Sequence, residues 1–347
     1  TISSESMVRK SPENVVRLKN GMYWFDPADD KTQDQASKVI KDIISRYDVD
    51  GIHLDDYFYP YAEYNGGKDF PDYKTWSAYQ NSGGTLSRAD WRRANVNKFV
   101  KRIYDEIKIQ KNDVKFGISP FGIWKPGYPS GIKGSSQYDE LYADAKLWLN
   151  QGWIDYFTPQ LYWPIDSAGQ SFPLLLQWWN DENIKGRHLW PGLNTVAVKS
   201  SNPVSEIARE IDVTRQIVKN YTGQVHWSIA GITKSKAMQD ELKLNVYKDK
   251  ALIPETKWLS SKNLPELDVT WTKQQGHFLL NWNKQSEALS YVLYLKYGNT
   301  WQTEILAPEL LSKKVSSESN GKKLSTFVIR SLNRLGKLND YKAVVVN

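Results

Sequence analysis

The chain has 347 residues, a formal net charge of +7 and no cysteine. That length accommodates one large domain and a small one. The missing thiols exclude a disulfide framework, a thiolate metal site and a cysteine nucleophile. Four histidines, His53, His188, His226 and His277, lie too far apart in sequence for a zinc-hydrolase motif, and no metal or cofactor is expected. The lysines form no dense stripe of the kind a nucleic-acid binder needs. Hydrophobic runs are short and broken by charge, so the sequence predicts neither a transmembrane span nor a signal peptide. Thr1-Ile2-Ser3-Ser4 is not a native start, and a processed or truncated chain is expected.

From residue 21 to about 248, short apolar strands alternate with amphipathic helices, the pattern of a parallel sheet. Strands are predicted at 21–25, 50–55, 114–119, 154–162, 188–193 and 224–229. Helices are predicted at about 33–47, with Val39, Ile40, Ile43, Ile44 and Tyr47 on one face, at 89–109 and at 203–219. The last opens on Asn202 and Pro203, a cap followed by the imino acid favoured in a first turn. Repeating units of this kind suit a (β/α)8 barrel. An open doubly wound sheet is the alternative, but no glycine-rich phosphate loop follows any strand. Six strands are visible where a barrel needs eight, so a chain beginning inside the barrel is expected.

The predicted domains are a partial barrel over 1–250, a connector over 251–265 with Pro254 and Pro265, and a small all-β module over 266–347. In the last, Tyr291, Leu293, Leu295 and Tyr297 alternate with period two. Strands are predicted at 267–272, 277–283, 290–297, 301–306, 323–332 and 341–346, with a turn at Asn333–Gly336, as in a sandwich of the fibronectin type III kind.

The richest segment is Asp50-Gly51-Ile52-His53-Leu54-Asp55-Asp56-Tyr57-Phe58-Tyr59-Pro60. An apolar strand runs into two adjacent carboxylates, and a belt of rings follows. Carboxylates that move protons or stabilise positive charge, ringed by flat apolar faces, are what glycoside cleavage uses. The alternative is a helix cap and an ion pair. Strand parity weighs against that alternative. If Ile52 and Leu54 face the helices, His53 and Asp55 face the lumen, with Asp56 at the lip. The same alternation sends Ser119, Thr158, Gln160, Tyr162, Trp190, Asn194, His226 and Ser228 inward, so polar groups converge at strand ends, where barrel active sites lie.

Four segments, 50–61 (DGIHLDDYFYPY), 91–99 (WRRANVNKF), 116–125 (FGISPFGIWK) and 152–164 (GWIDYFTPQLYWP), resemble the bacterial glycosyl-hydrolase-like proteins grouped as family-10-like. The resemblance covers about 13–248, with the motifs in the family's order. It implies a barrel protein of the cell envelope, secreted or periplasmic and often a lipoprotein, with a branch that cleaves peptidoglycan glycan strands lacking their peptides. The family's first barrel strands are not visible here, so any site residue they carry is missing. The 50–55 strand is also similar to the acidic strand of chitinase-type enzymes, but Tyr57 stands where those carry the glutamic acid. Tyr162 resembles the tyrosine that steadies their acetamide intermediate.

The expected function is hydrolysis of a β-linked polysaccharide containing N-acetylated amino sugars. Asp55, Asp56 and Tyr162 are the candidate catalytic residues, and Asp166 is a reserve acid. His53, Tyr57, Tyr59, Arg92, Arg93, Ser119, Trp124, Gln160, Trp163, Asn194 and His226 are the candidate substrate contacts. Arg92 and Arg93 would take a sugar carboxylate, and Trp124 and Trp163 would stack on sugar rings. Trp178 and Trp179 belong to the core. A non-catalytic glycan-binding barrel and a metal-dependent hydrolase are the rival functions. Oligomeric state is left open.

Overall fold

The computed structural model describes residues 2–219, 223–260 and 263–346. They fall into two units, Thr1–Val246 and Tyr247–Asn347, so the connector over 251–265 groups with the second.

The first unit opens with a one-turn helix α1 (Met7–Lys10) and an antiparallel hairpin of β1 (Val15–Arg17) and β2 (Tyr23–Phe25). The strand expected at 21–25 therefore exists in shortened form but lies outside the parallel sheet. Its alternating pattern reports burial on one face and carries no information about partner direction. Helix α2 (Asp30–Arg46) starts where Asp29 accepts hydrogen bonds from the amides of Lys31 and Thr32, and buries Ile40 and Ile44. Next come β3 (Gly51–Leu54), α3 (Tyr73–Asn81) and α4 (Arg88–Gln110). In α4, Ser87 caps the amide of Asp90, and Trp91, Val96, Val100, Ile103 and Ile107 form the buried stripe.

After α4 the chain forms β4 (Lys115–Ile118), α5 (Gln137–Glu140), α6 (Ala145–Gln151), β5 (Tyr156–Phe157), α7 (Phe172–Glu182), β6 (His188–Leu189) and β7 (Gly192–Asn194). It continues with α8 (Pro203–Ile217), β8 (Val225–Trp227), α9 (Ile229–Thr233), α10 (Lys236–Asp240) and a π-helical turn over Glu241–Val246. Strands β3, β4, β5 and β6 pair in that order, all parallel. β7 pairs parallel with β8, and a bridge from Gln160 to Gly192 links the two sheets. The parallel arrangement matches the expectation. Closure into eight strands is not formed among the described residues, where β3 pairs only with β4.

Alternation sets the two faces of this sheet. Phe116, Ile118, Phe157, Leu189 and Leu193 are buried with the helices' apolar stripes in one core. The opposite face carries His53, Gly117, Tyr156 and His188, which stand in one row because they are register partners across the four strands.

The second unit contains β9 (Val269–Gln274), β10 (His277–Trp282), β11 (Ser290–Tyr297), β12 (Thr300–Leu306), β13 (Ser312–Ser316), β14 (Glu318–Ser319), β15 (Lys322–Leu332) and β16 (Val344–Val345). Its two antiparallel sheets, β13-β10-β9 and β12-β11-β15-β14 with β16 on β15, enclose Phe278, Leu280, Trp282, Tyr291, Leu293, Phe327 and Ile329. The turn at Asn333–Gly336 is closed by the Gly336 amide on the Asn333 carbonyl. β13 was not expected: Ser312-Lys313-Lys314-Val315-Ser316 shows only one core residue, Val315, and lysines are the usual protection of a sheet's edge.

Candidate active site

The site is assembled at the C-terminal ends of β3, β4 and β5. The Gln160 amide donates to Asp55 Oδ1 (2.8 Å) and to the Ser119 carbonyl (3.0 Å), so one side chain bridges the first acid to the adjacent strand. The Asp56 amide also donates to Asp55 Oδ1, at 3.1 Å. His53 Nε2 lies 2.8 Å from Ser119 Oγ, and Nδ1 lies 3.0 Å from the Tyr156 hydroxyl. Its ring stacks on Tyr156 at 5.6 Å and 15°. That contact is possible because Gly117 stands between them in the row: a β-carbon there would lie 2.1 Å from the Tyr156 ring. Tyr156 stacks in turn on Trp190 (5.0 Å), and Trp190 on His188 (5.1 Å).

The two carboxylates differ in environment, and not in the way parity suggests. Asp55 is half-buried and faces the cleft, whereas Asp56 is only 4% exposed. The chain turns back after Asp56, with the Phe58 amide on the Asp56 carbonyl, and brings the Tyr61 hydroxyl onto Asp56 Oδ2. Asp56 is therefore underneath the 57–61 loop and not at its lip. Burial pushes the Asp55 carboxyl above the ordinary aspartate range, against the pull of the Asp56 amide and Gln160. Burial also pushes Asp56 up, the Tyr61 hydroxyl opposes it, and the charge of Asp55 adds to the rise. The two acids therefore sit in different surroundings, Asp55 facing the cleft and Asp56 covered by the loop. Partial desolvation lowers the proton affinity of His53. Burial and the nearby charges of Asp55 and Asp56 raise the pKa of Tyr162, which lies beside Gly192.

The remaining candidates divide. Tyr57 is half-exposed, edge-on to Trp24, in an apolar hollow of about 430 Å³ that also includes Asp55. Trp163 packs edge-on to Phe121 close to Gly122. His226 stands on β8, its proton affinity lowered by burial.

Six candidates sit where they cannot play the expected part. Tyr59 is buried between Phe70, Tyr142 and Arg92. Arg92 is 1% exposed and binds Asp69 and Asp72, so its carboxylate partners are internal. Arg93 lies over the Tyr138 ring and pairs with Asp90. Trp124 is stacked on Trp178, flanked by Tyr128, Tyr138 and Lys146, and donates its indole N–H to Asp144, so its contacts are those of an internal aromatic cluster. Asn194 Oδ1 is occupied by the amides of Val196 and Ala197, closing its own turn. Asp166 is an exposed loop residue 3.8 Å from Arg209.

Tyr61, Tyr156 and Tyr142 are site-shaping residues that the candidate set lacks. Extending the alternation of Thr158 and Gln160 back by one inward position finds Tyr156. Tyr142 carries no sequence signal. Its φ of +53° is a left-handed conformation that costs a non-glycine residue about 1–3 kcal/mol. Among the described residues no group of three or more His, Cys, Asp or Glu could hold a metal ion, and no helix is long and apolar enough to cross a membrane.

The model of the family described as glycosyl hydrolase-like 10 matches residues 5–207. The chain belongs to this glycosyl hydrolase-like 10 family. Among its curated relatives, glycosyl hydrolase YngK of Bacillus subtilis (strain 168) is 31% identical over 358 aligned residues, spanning 96% of this chain and 69% of YngK. Glycosyl hydrolase DigH of Escherichia coli (strain K12) is 35% identical over 170 residues, covering 48% of this chain and 38% of DigH. Among solved structures, bee venom hyaluronidase in complex with a hyaluronic acid tetramer aligns with a TM-score of 0.41 and 12% identity, over 67% of this chain and 81% of that one. That likeness is too loose to bear on chemistry. As a member of the glycosyl hydrolase-like 10 family, the chain places its Asp55-Asp56 pair, Ser119 and Gln160 within the matched region.

Proposed function

We propose that this protein is a glycoside hydrolase of the cell envelope, acting on a β-linked polysaccharide that contains N-acetylated amino sugars, with peptidoglycan glycan strands as the favoured substrate. One observation carries the proposal: two adjacent carboxyl groups at a strand end, one facing the cleft and held by Gln160, the other buried under the loop and held by Tyr61. Paired acids in unlike surroundings are the arrangement that glycoside cleavage uses for a charged group and a proton donor.

Asp55, held by Gln160, is the charged group that stabilises the developing oxocarbenium or acetamide-derived cation, or attacks it. Asp56 is the candidate acid, and it meets substrate when Tyr61 gives way. Tyr162 lies in the field of both and would accept or donate to the acetamide. Tyr57 supplies an open ring face. The parallel strands of the first unit would form one arc of a (β/α) barrel. The second unit would act as a spacer or packing partner.

The test is incubation of the protein with peptide-free peptidoglycan glycans, chitin oligomers and xylan, with products resolved by mass. Cleavage of the amino-sugar polymers, lowered about 10²–10⁴-fold by Asp55→Asn, is the expected result. Binding of glycan without turnover by the wild-type protein would favour a glycan-binding barrel in its place.

A further inference from the structure

Arg92 lies in the second turn of α4, and the sequence offers no reason to connect it with Asp56. We propose that Arg92 is a positioning residue whose guanidinium holds the 57–72 loop closed over Asp56. Every nitrogen of that group is engaged. Nε donates to Asp72 Oδ2 (2.7 Å), Nη1 to Asp69 Oδ1 and the Tyr142 hydroxyl (both 2.7 Å), and Nη2 to Asp72 Oδ1 (2.8 Å), the Phe70 carbonyl (3.0 Å) and Asp69 Oδ2 (3.1 Å). Beside it lie the rings of Tyr59 (5.2 Å) and Tyr142 (4.7 Å), which also meet each other edge-on at 5.2 Å. Arg92 therefore grips the far end of the loop, residues 69–72, and through its stack on Tyr59 the near end, two residues before Tyr61.

Three further observations fit a clamp and not a bystander ion pair. Arg92 and Asp72 are each 1% exposed, so their pairing is shielded from solvent competition. The left-handed Tyr142 is maintained at the point where its hydroxyl and ring meet the guanidinium. Phe70 packs edge-on to Tyr59 at 5.4 Å, so the two loop ends touch inside the clamp. The planar fork is required: a lysine retains the charge but cannot make the paired contacts.

With the loop closed, Asp56 is surrounded by Asp55, Tyr57, Tyr61 and Tyr162, with Tyr64 behind Tyr61. Opening the loop removes the Tyr61 hydrogen bond, which favours the carboxylate, and the burial, which opposes it. Burial is the larger effect, so Asp56 should titrate lower when the clamp fails.

The proposal rests on the assignment of Asp56 as the candidate acid, but its test needs no substrate. Hydrogen exchange across residues 57–72 and the carboxyl titration of Asp56, assigned with Asp56→Asn in protein labelled at aspartate carboxyl carbons, are measured in wild type, Arg92→Lys and, as a control on the same helix, Arg102→Lys. Arg92→Lys should speed loop exchange by about tenfold or more and shift Asp56 down towards the ordinary aspartate range, while Arg102→Lys changes neither. If Arg92→Lys does not fold, Tyr142→Phe, which removes one contact of the guanidinium, should move both measurements in the same direction by less. Unchanged loop exchange and an unchanged Asp56 titration in a folded variant overturn the clamp. Failure of the wild type to cleave any glycan would remove the glycosidase assignment and leave these two measurements to decide the clamp on their own.

Discussion

Gly117→Ala is expected to change sign according to what stands opposite it. Gly117 occupies the row between His53 and Tyr156, and an added β-carbon would lie 2.1 Å from two atoms of the Tyr156 ring and 2.4 Å from a third. Ordinary contact is about 3.5–4.0 Å, so the ring would have to retreat by more than an ångström. It has little room, because its faces meet His53 and Trp190. Overpacking of this kind costs about 1–3 kcal/mol, and loss of the His53–Tyr156 hydrogen bond adds about 0.5–1.5 kcal/mol. Against this, replacing glycine by alanine inside a strand gains about 0.5–1 kcal/mol. The balance is a loss of roughly 0.5–4 kcal/mol, or about 1–16 °C in the unfolding temperature of a unit this size at about 2–4 °C per kcal/mol. In a Tyr156→Ala background the clash is gone, and the same substitution should be neutral or stabilising by up to about 1 kcal/mol. Calorimetry of the four proteins of this double-mutant cycle measures the difference. An equal cost of Gly117→Ala in both backgrounds would refute the account of how His53 and Tyr156 meet.

Three other outcomes follow from buried charges. Glu210, 3% exposed on α8 beside Glu206, has its carboxyl pushed up to about 8 by burial. The folded chain then binds a proton that the unfolded chain releases near 4.5, so stability should be full below that pH and decline as pH rises through about 8. Glu210→Gln should flatten the decline in a series of pH-dependent melts, and an unchanged slope would contradict it. Asp155, fully buried, accepts from the Phe116 amide (2.7 Å) and pairs with Lys108. Asp155→Ala strands that lysine and should cost about 3–5 kcal/mol in urea unfolding; a cost below about 1 kcal/mol would argue against the pairing. Because burial raises Asp56, its replacement by Asn should raise the melting temperature at pH 8 more than at pH 4, and a gain independent of pH would rule out the carboxyl as its source.

The parts of the site readable from sequence are those fixed by strand alternation. His53, Asp55, Ser119 and Gln160 share one face because period two leaves a strand no other choice once Ile52, Leu54, Phe116 and Ile118 enter the core. What depends on the chain's return path was not readable. The turn after Asp56 decides which of two neighbouring acids is covered, and that turn is held by residues up to 36 positions away, Arg92 among them. An arginine selects carboxylates, but its sequence position does not say whether the carboxylate belongs to a ligand or to Asp72. Trp124 shows the same limit: a ring beside a strand end is exposed or not according to whether Trp178, from a later helix, lies on it. The hairpin of β1 and β2 eluded the sequence for a different reason, since apolar alternation is identical in parallel and antiparallel partners.

Asp55 is held by a side chain 105 positions later in the chain, and His53 by one 103 positions later. Joining groups so far apart requires the entropy of a long loop to be overcome before either hydrogen bond contributes. The site is thus a product of the finished sheet and not a nucleus for it. During refolding, the native environment of Asp55 should appear only after β3, β4 and β5 are in register, and a chain interrupted between β3 and β5 would retain both aspartates without the geometry that distinguishes them.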